Sequence, residues 1–326
     1  MKRDRKNILR QVKELVMSSP KSMYEISKEM KSNWDTIKSN VALLTDLGVV
    51  KQENGKVIYS PSGKEYDEDS IAGIPISKKV KEKVWTIAKT ILAEWRKHTD
   101  EPLNSTKLQK MLVELSDGFP SLELPTGWYR YGKVVLVRVS GKEMDGKAPK
   151  KLSEISSESA KILRRIEQLV PDYINKQTSE IVDQQYEKYK TEYYMLRKKI
   201  EKMLCEKIND LTRISKELYE LVFLFPLDEK NSLSVETFNF VKGALITIIQ
   251  NISKSNKDEE SLRMELLDVF NSLWNVIATY NLFSTIEGST GYDDVLIKSF
   301  IESRVQTCKD EFIDKFQEVG YIYSES

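Results

Sequence analysis

Histidine and cysteine are almost missing from this chain of 326 residues, which has one histidine, His98, and two cysteines, Cys205 and Cys308. One histidine and two distant cysteines do not supply the ligands of the usual zinc sites. Both cysteines lie inside helical patterns, which favours free buried thiols over a disulfide. We therefore expect neither a metal nor another cofactor.

Long apolar runs are also missing, because no stretch approaches 18 consecutive apolar residues. A membrane-spanning helix needs about that length, so none is expected. The basic N-terminal sequence MKRDRKNILRQVKELV continues as an amphipathic helix, whereas a signal peptide has a short apolar core. These features predict a cytoplasmic protein without a membrane partner.

Motifs that carry catalysis are absent as well. The segment GSTGYDD at 288–294 lacks the lysine and the spacing of a Walker phosphate loop. No nucleophile elbow is present. The abundant carboxylates lie on helical faces beside lysine and arginine, where solvated surface charge is the ordinary role. The sequence therefore predicts a protein that is not an enzyme.

What the chain does have is a separation of charge that its net value of +1 conceals. Residues 1–60 carry an excess of five positive charges and residues 61–150 an excess of three, whereas residues 151–326 carry an excess of seven negative charges. A basic module on an acidic body suits a protein that presents one end to a polyanion.

The basic N-terminal part contains an ordered series of local signals. Apolar positions of period 3.6 predict a helix over residues 5–18. Ser22, followed by Glu25, predicts a capping box at the start of a second helix, and Ser32 with Asp35 predicts the start of a third. Gly48 would end that third helix. Asn54-Gly55 then favours a tight hairpin between two short strands.

This order of elements resembles the winged helix-turn-helix domains of bacterial and archaeal transcription regulators. The resemblance covers residues 5–66 and is carried by YEIS-KEM, the turn KSN, TIKSNVALLTDLGVV and the wing ENGKVIYS. It implies that the third helix enters the major groove of double-stranded DNA and that the wing touches the backbone. The residues assigned to DNA binding are Ser32, Asn33, Trp34, Thr36, Lys38, Ser39, Asn40, Lys51, Asn54 and Lys56.

The chemistry of these positions suits DNA, since amide side chains bond adenine edges and lysines neutralise phosphates. The third helix has no arginine, the residue that most often reads guanine, so sequence-specific readout by this helix is weakly supported. The expected function is a transcription regulator that binds duplex DNA through a winged helix. The alternative is a protein–protein adaptor or antitoxin-like protein that uses the same module to bind a partner.

The remaining chain predicts architecture, and the whole is expected to be mainly α. The expected division is a winged helix at 1–66, a linker at 67–76, a small helical domain with a β element at 77–151, and a helical bundle or coiled coil at 152–326. The β element lies near 128–139. Apolar positions spaced alternately by four and three residues predict one long heptad-patterned helix over 182–203.

Two features of this region leave alternatives open. Trp128, Tyr129 and Tyr131 either line a ligand or partner pocket or pack in a turn against the helix at 77–98. The heptad seam forms either a dimeric coiled coil or a helical hairpin within one chain. Because winged-helix regulators gain affinity from two half-sites, we expect a homodimer through the helical C-terminal region. The effector, if the region receives one, is not determined by the sequence.

Overall fold

The computed structural model describes residues 5–46, 50–59, 70–139, 150–189, 191–206, 211–255 and 258–321. As the sequence predicts, these residues are mainly α-helical. The helices are α1 (Arg5–Ser18), α2 (Met23–Met30), α3 (Trp34–Asp46), α4 (Lys78–His98), α5 (Ser105–Gly118), α6 (Leu152–Ile155), α7 (Ser159–Ile174), α8 (Thr178–Tyr189), α9 (Glu192–Cys205), α10 (Leu211–Phe223), α11 (Ser232–Lys254), α12 (Glu259–Thr285) and α13 (Asp294–Glu318). The strands are β1 (Lys21–Ser22), β2 (Val50–Glu53), β3 (Lys56–Tyr59), β4 (Thr126–Tyr129) and β5 (Gly132–Val135).

The chain divides into two compact units that are discontinuous in sequence. The first comprises Met1–Lys81, Leu136–Arg138 and Thr290–Phe300, and the second comprises Glu82–Val135, Val139–Ser289 and Ile301–Ser326. The boundaries predicted at residues 66, 76 and 151 stay predictions.

The first unit is built on α1, α2, α3 and an antiparallel sheet of strand order β1-β3-β2. This is the arrangement of a winged helix-turn-helix. Its core is formed by the apolar faces of the three helices together with Val50 and Val57 of the hairpin and Leu296 of α13. The helices bury the positions predicted from their periodicity, because each presents one apolar stripe to the sheet.

Two local predictions in this unit are confirmed. Ser22 and Glu25 form the capping box of α2, with the Ser22 side chain accepting from Glu25 N and the Glu25 carboxylate accepting from Ser22 N. Asn54 and Gly55 both have positive φ, 51° and 74°, as the tight turn of a hairpin requires. Gly48 lies outside the described residues.

The segment predicted as a linker, residues 67–76, is described from residue 70 onward. This part is packed rather than exposed: Ser70 is buried and forms an antiparallel bridge with Val137, and Ile71 N donates to Leu136 O at 2.7 Å. Ile74 and Ile76 are also buried. The polar, glycine-rich composition that suggested a linker does not reveal these two inward isoleucines.

The second unit surrounds the β4–β5 hairpin. The strands pair from Thr126 with Val135 to Tyr129 with Gly132, and helices α5 and α12 pack against them. Thr126 also exchanges both backbone hydrogen bonds with Glu287, so the segment after α12 lies beside β4. The β element thus lies near its predicted place, although β5 ends at Val135, before the predicted Val139.

The long heptad-patterned helix predicted over 182–203 is wrong. The structure has two helices there, α8 and α9, separated at Thr191, whose φ of −92° and ψ of 78° are not helical. The heptad spacing fails as a guide because Tyr186, Tyr193 and Ile200 are buried in the second unit. Contacts with other helices therefore determine the path of this segment.

Helix α11 is the one helix in the described ranges that is long and apolar enough to cross a membrane, with a mean hydropathy of 1.3 over its most apolar window. Core helices of soluble proteins meet the same criterion. In this structure the side chains of Val241, Leu245 and Ile248 are buried, and α11 packs against α10 and α12. These contacts fit a soluble protein.

Candidate nucleic-acid interface

Helix α3 has an inner and an outer face. Ile37, Val41 and Leu44 are buried in the core of the first unit. Trp34 and Lys38, one helical turn apart, are exposed on the other side, and so is Ser39. The outer face therefore carries one cation, one aromatic ring and small polar side chains, and it is open to a partner.

The start of α3 differs from the prediction. Asn33 caps the helix, since its Oδ1 accepts from Thr36 N at 2.7 Å. Ser32 instead belongs to the turn, where its carbonyl accepts a hydrogen bond from Ser27 Oγ at 2.7 Å. The assignment of Ser32 as the cap is wrong because Asn33, one residue later, has the side chain that reaches the free amide.

Asn40 does not belong to the outer face. It is buried at 3% exposure, and its Nδ2 donates to Thr36 O at 2.7 Å. The prediction that Asn40 faces the groove is therefore wrong, because residue 40 lies between the inward positions 37 and 41. Ser39 Oγ also donates to Thr36 O, at 3.1 Å, but this side chain stays exposed.

The wing places its predicted residues at the surface. Lys51, Asn54 and Lys56 lie on the hairpin formed by β2 and β3. Lys51 Nζ pairs with Glu53 at 2.9 Å, which offsets part of its charge. Asn54 is needed for the positive φ of the turn. Lys56 is exposed and is the wing cation best placed to meet a phosphate.

Sequence reasoning missed two further cations beside α3. Lys28 lies in the last turn of α2, and Lys31 follows it in the turn with a left-handed φ of 47°. Both are exposed. Together with Lys38 and Lys56, they form no ion pair within the described part of the chain. The four exposed, unpaired lysines are named below the lysine group.

One carboxylate modifies this positive surface. The pKa of Glu25 is lowered by the hydrogen bonds from the Ser22 backbone and side chain, and the nearby charge of Lys56 lowers it further. Asp35 in the first turn of α3 stabilises the positive end of the helix dipole. The surface is therefore mixed in sign, with cations in excess.

Trp128 and its neighbours lie in the second unit and have a different packing partner from the predicted helix at 77–98. The Trp128 ring contacts Tyr189 and Tyr194, with centroids 5.5 and 4.8 Å apart. Tyr131 lies under the guanidinium of Arg197 at 4.6 Å. The aromatics thus join the hairpin to α8 and α9, which the sequence does not indicate as neighbours.

A buried lysine lies beside this hairpin. Lys110 is 2% exposed, and its Nζ donates to Tyr131 O, Lys133 O and Gln185 Oε1 at 2.5 to 3.1 Å. Burial lowers the pKa of Lys110 to about 7. Three neutral oxygens suit the three hydrogens of an ammonium group, so this lysine fastens the hairpin to α5 and α8.

Comparison with family models, with curated proteins and with solved structures found no match to this chain. Among the residues that the structure describes, no group of three or more His, Cys, Asp and Glu side chains is placed to hold a metal ion.

Proposed function

We propose that this protein binds double-stranded DNA through the outer face of α3 and the wing, and that it acts as a cytoplasmic transcription regulator rather than as an enzyme. The observation that carries the proposal is the lysine group, Lys28, Lys31, Lys38 and Lys56, on a helix-turn-helix with a β-hairpin wing. Unpaired cations gain most from a polyanion, because binding releases the counterions of the phosphates.

The structure favours backbone contacts over base reading. The outer face of α3 has no arginine, and Asn40 is buried. Phosphate contacts position a protein on the duplex but carry no sequence information. We therefore propose an affinity dominated by lysine–phosphate contacts, with Trp34 and Ser39 as the outward residues nearest to base edges.

Removal of two lysines tests this proposal. In the variant Lys38→Gln/Lys56→Gln, the affinity of the full chain for a labelled duplex is expected to fall at least about tenfold at low salt. The logarithmic slope of affinity against salt should become shallower by about two, since two phosphate contacts are lost. Fluorescence anisotropy between about 50 and 200 mM salt measures both quantities.

The matched control is Lys216→Gln/Lys254→Gln, which removes two exposed lysines of the second unit. This control should keep the affinity and the slope of the original protein. Equal slopes for the original and the Lys38/Lys56 variant would exclude the assigned face, and circular dichroism verifies that both variants remain folded.

A second candidate function is supported by exposed aromatic side chains. Tyr24 is 67% exposed on α2 and Trp34 is 46% exposed on α3. Exposed tyrosine and tryptophan are typical of protein interfaces. This favours an adaptor, as in an antitoxin-like protein, and it predicts that the original protein shows no salt-dependent affinity for duplex DNA in the same titration.

The homodimer belongs to the same proposal, with a second copy of this chain as the occupant of a groove between α10 and α11. The groove has a volume of about 460 Å³ and is lined mainly by apolar side chains, among them Tyr219, Phe223 and Leu227. Phe223 is 83% exposed, the largest exposed fraction among the large apolar residues described. A two-fold axis places such a patch against itself, so both copies bury it.

Substitution Phe223→Lys is expected to weaken self-association at least about hundredfold. Burial of one phenylalanine contributes about 1.5–3 kcal/mol, and a two-fold dimer buries two. Sedimentation velocity over a concentration series measures the effect. Met264→Lys, at a residue 60% exposed on α12, is the control and should associate as the original does. Identical association of the two variants, or an original protein that is monomeric throughout, contradicts the proposed surface.

A further inference from the structure

A cavity of about 380 Å³ in the second unit lies among the β4 strand, the start of α9, the segment after α10 and the end of α12. This volume is in the range of small-molecule pockets. Its aromatic wall is formed by Trp128, Tyr193 and Tyr194, with Leu224 and Pro226 as further apolar lining. The cavity therefore offers a mostly apolar surface with large ring faces.

Two hydroxyl groups of the lining have no hydrogen-bond partner among the described residues. They are the side-chain hydroxyls of Tyr193 and Thr191, both with their oxygen atoms buried. Tyr193 is 8% exposed, so water does not compensate for its missing bond. Buried polar groups are paired in nearly all proteins, and an unpaired one costs about 1–3 kcal/mol. Both hydroxyls can be satisfied by a polar group in the cavity.

The charges of the lining select the ligand. Glu192 supplies one exposed carboxylate, and neither lysine nor arginine nor histidine lines the cavity within the described ranges. Aromatic ring faces attract cations, and a carboxylate adds to that attraction. The same surroundings repel an anion, because no positive side chain balances Glu192. An ammonium group can also donate to the oxygens of Tyr193 and Thr191.

We propose that this cavity binds a small organic cation: an ammonium group held by Glu192 and the two unpaired hydroxyls, with an apolar body against Trp128 and Tyr194. The ring stack keeps the site open, since Trp128 and Tyr194 contact each other at 4.8 Å and Tyr194 OH is held by Asn281 Nδ2 at 3.1 Å. The site is formed by the second unit alone and does not depend on DNA binding.

Calorimetry with a pair of probes of opposite charge tests the class of ligand. The cation 2-phenylethylammonium is expected to bind the full-length protein with a Kd of about 1 mM or tighter, and 3-phenylpropanoate at least about tenfold more weakly. The two probes share a phenyl ring and a similar length, so their difference reports charge. Equal affinities, or no binding of the ammonium probe, would overturn the proposal.

Two variants test the assigned groups. Glu192→Gln should weaken binding of the cation about tenfold, and Tyr193→Phe about threefold or more. Tyr193→Phe should also leave the free protein at least as stable, because it removes an unpaired hydroxyl, whereas a structural hydroxyl would lose stability on removal. Thermal melting without the probe makes that distinction.

Glu187→Gln is the matched control, since it removes one exposed carboxylate of α8 that does not line the cavity. This variant should bind the cation as the original does. Loss of affinity in Glu187→Gln equal to that in Glu192→Gln would show a general effect of charge and would contradict the site.

Discussion

Replacing Gly288 by alanine is expected to lower the free energy of unfolding by about 3 kcal/mol or more. Gly288 has a φ of 75°, and a Cβ at this position would overlap the carbonyl oxygen of Leu124. The neighbouring bonds, from Ser289 N to Glu123 O and from Glu287 N to Thr126 O, hold the two segments together. The backbone therefore has no inexpensive way to move aside.

Gly118→Ala is the matched control for this glycine. It ends α5, and a Cβ there meets nothing within 4 Å. Alanine should stabilise this position by about 0.5–1 kcal/mol, because glycine loses more backbone freedom on folding. Urea unfolding of the two variants should give shifts of opposite sign. A Gly288→Ala shift smaller than about 1 kcal/mol would contradict the close approach described here.

The stability of the protein is expected to rise between about pH 7 and pH 9.5, by up to about 1.4 kcal/mol per pH unit. The cause is Lys110, whose pKa burial lowers to about 7. In the unfolded chain a lysine has a pKa of about 10.4. Between the two values the unfolded chain binds one proton more than the folded chain, so a higher pH favours folding.

Tyrosines act in the opposite direction at higher pH. Burial raises the pKa of Tyr186 to about 12, whereas an unfolded tyrosine ionises near 10. Stability from this group is present at neutral pH and is lost as the pH rises above about 10. Urea unfolding at several values between pH 7 and pH 9.5 therefore isolates the lysine.

Lys110→Met should flatten this pH dependence, because the titrating group is gone. Lys107→Met is the control: this lysine lies on the same helix and donates to Tyr173 O and Ile174 O, but it is only half-buried. The control should keep the slope of the original. The same slope in all three proteins would exclude Lys110 as the cause.

The N-terminal unit was predictable because its signals are local. The Ser22–Glu25 capping box and the Asn54-Gly55 turn each depend on residues within four positions of one another. The errors there are errors of one position. Ser32 and Asn33 are adjacent possible caps, and Asn40 lies one residue from the exposed Ser39, so the helical period alone does not separate them.

The second unit was not predictable in the same way, because long-range contacts determine it. The acceptors of Lys110 lie 21 to 75 residues away in sequence, and no local pattern connects them. The break at Thr191 is invisible to a heptad pattern, since the spacing of apolar residues continues across it. A basic residue at position 110 appears in the sequence as one more surface charge.

Leu296 has a consequence for synthesis on the ribosome. It completes the N-terminal core but follows Lys81, the end of that unit's first segment, by about 215 residues. At about 5–20 residues per second, the ribosome needs roughly 10 to 40 seconds to supply it. During that time the nascent winged helix has an open apolar patch where Leu296 will pack, and chaperones meet it in that form. The order of translation thus makes the first unit to emerge one of the last to be completed.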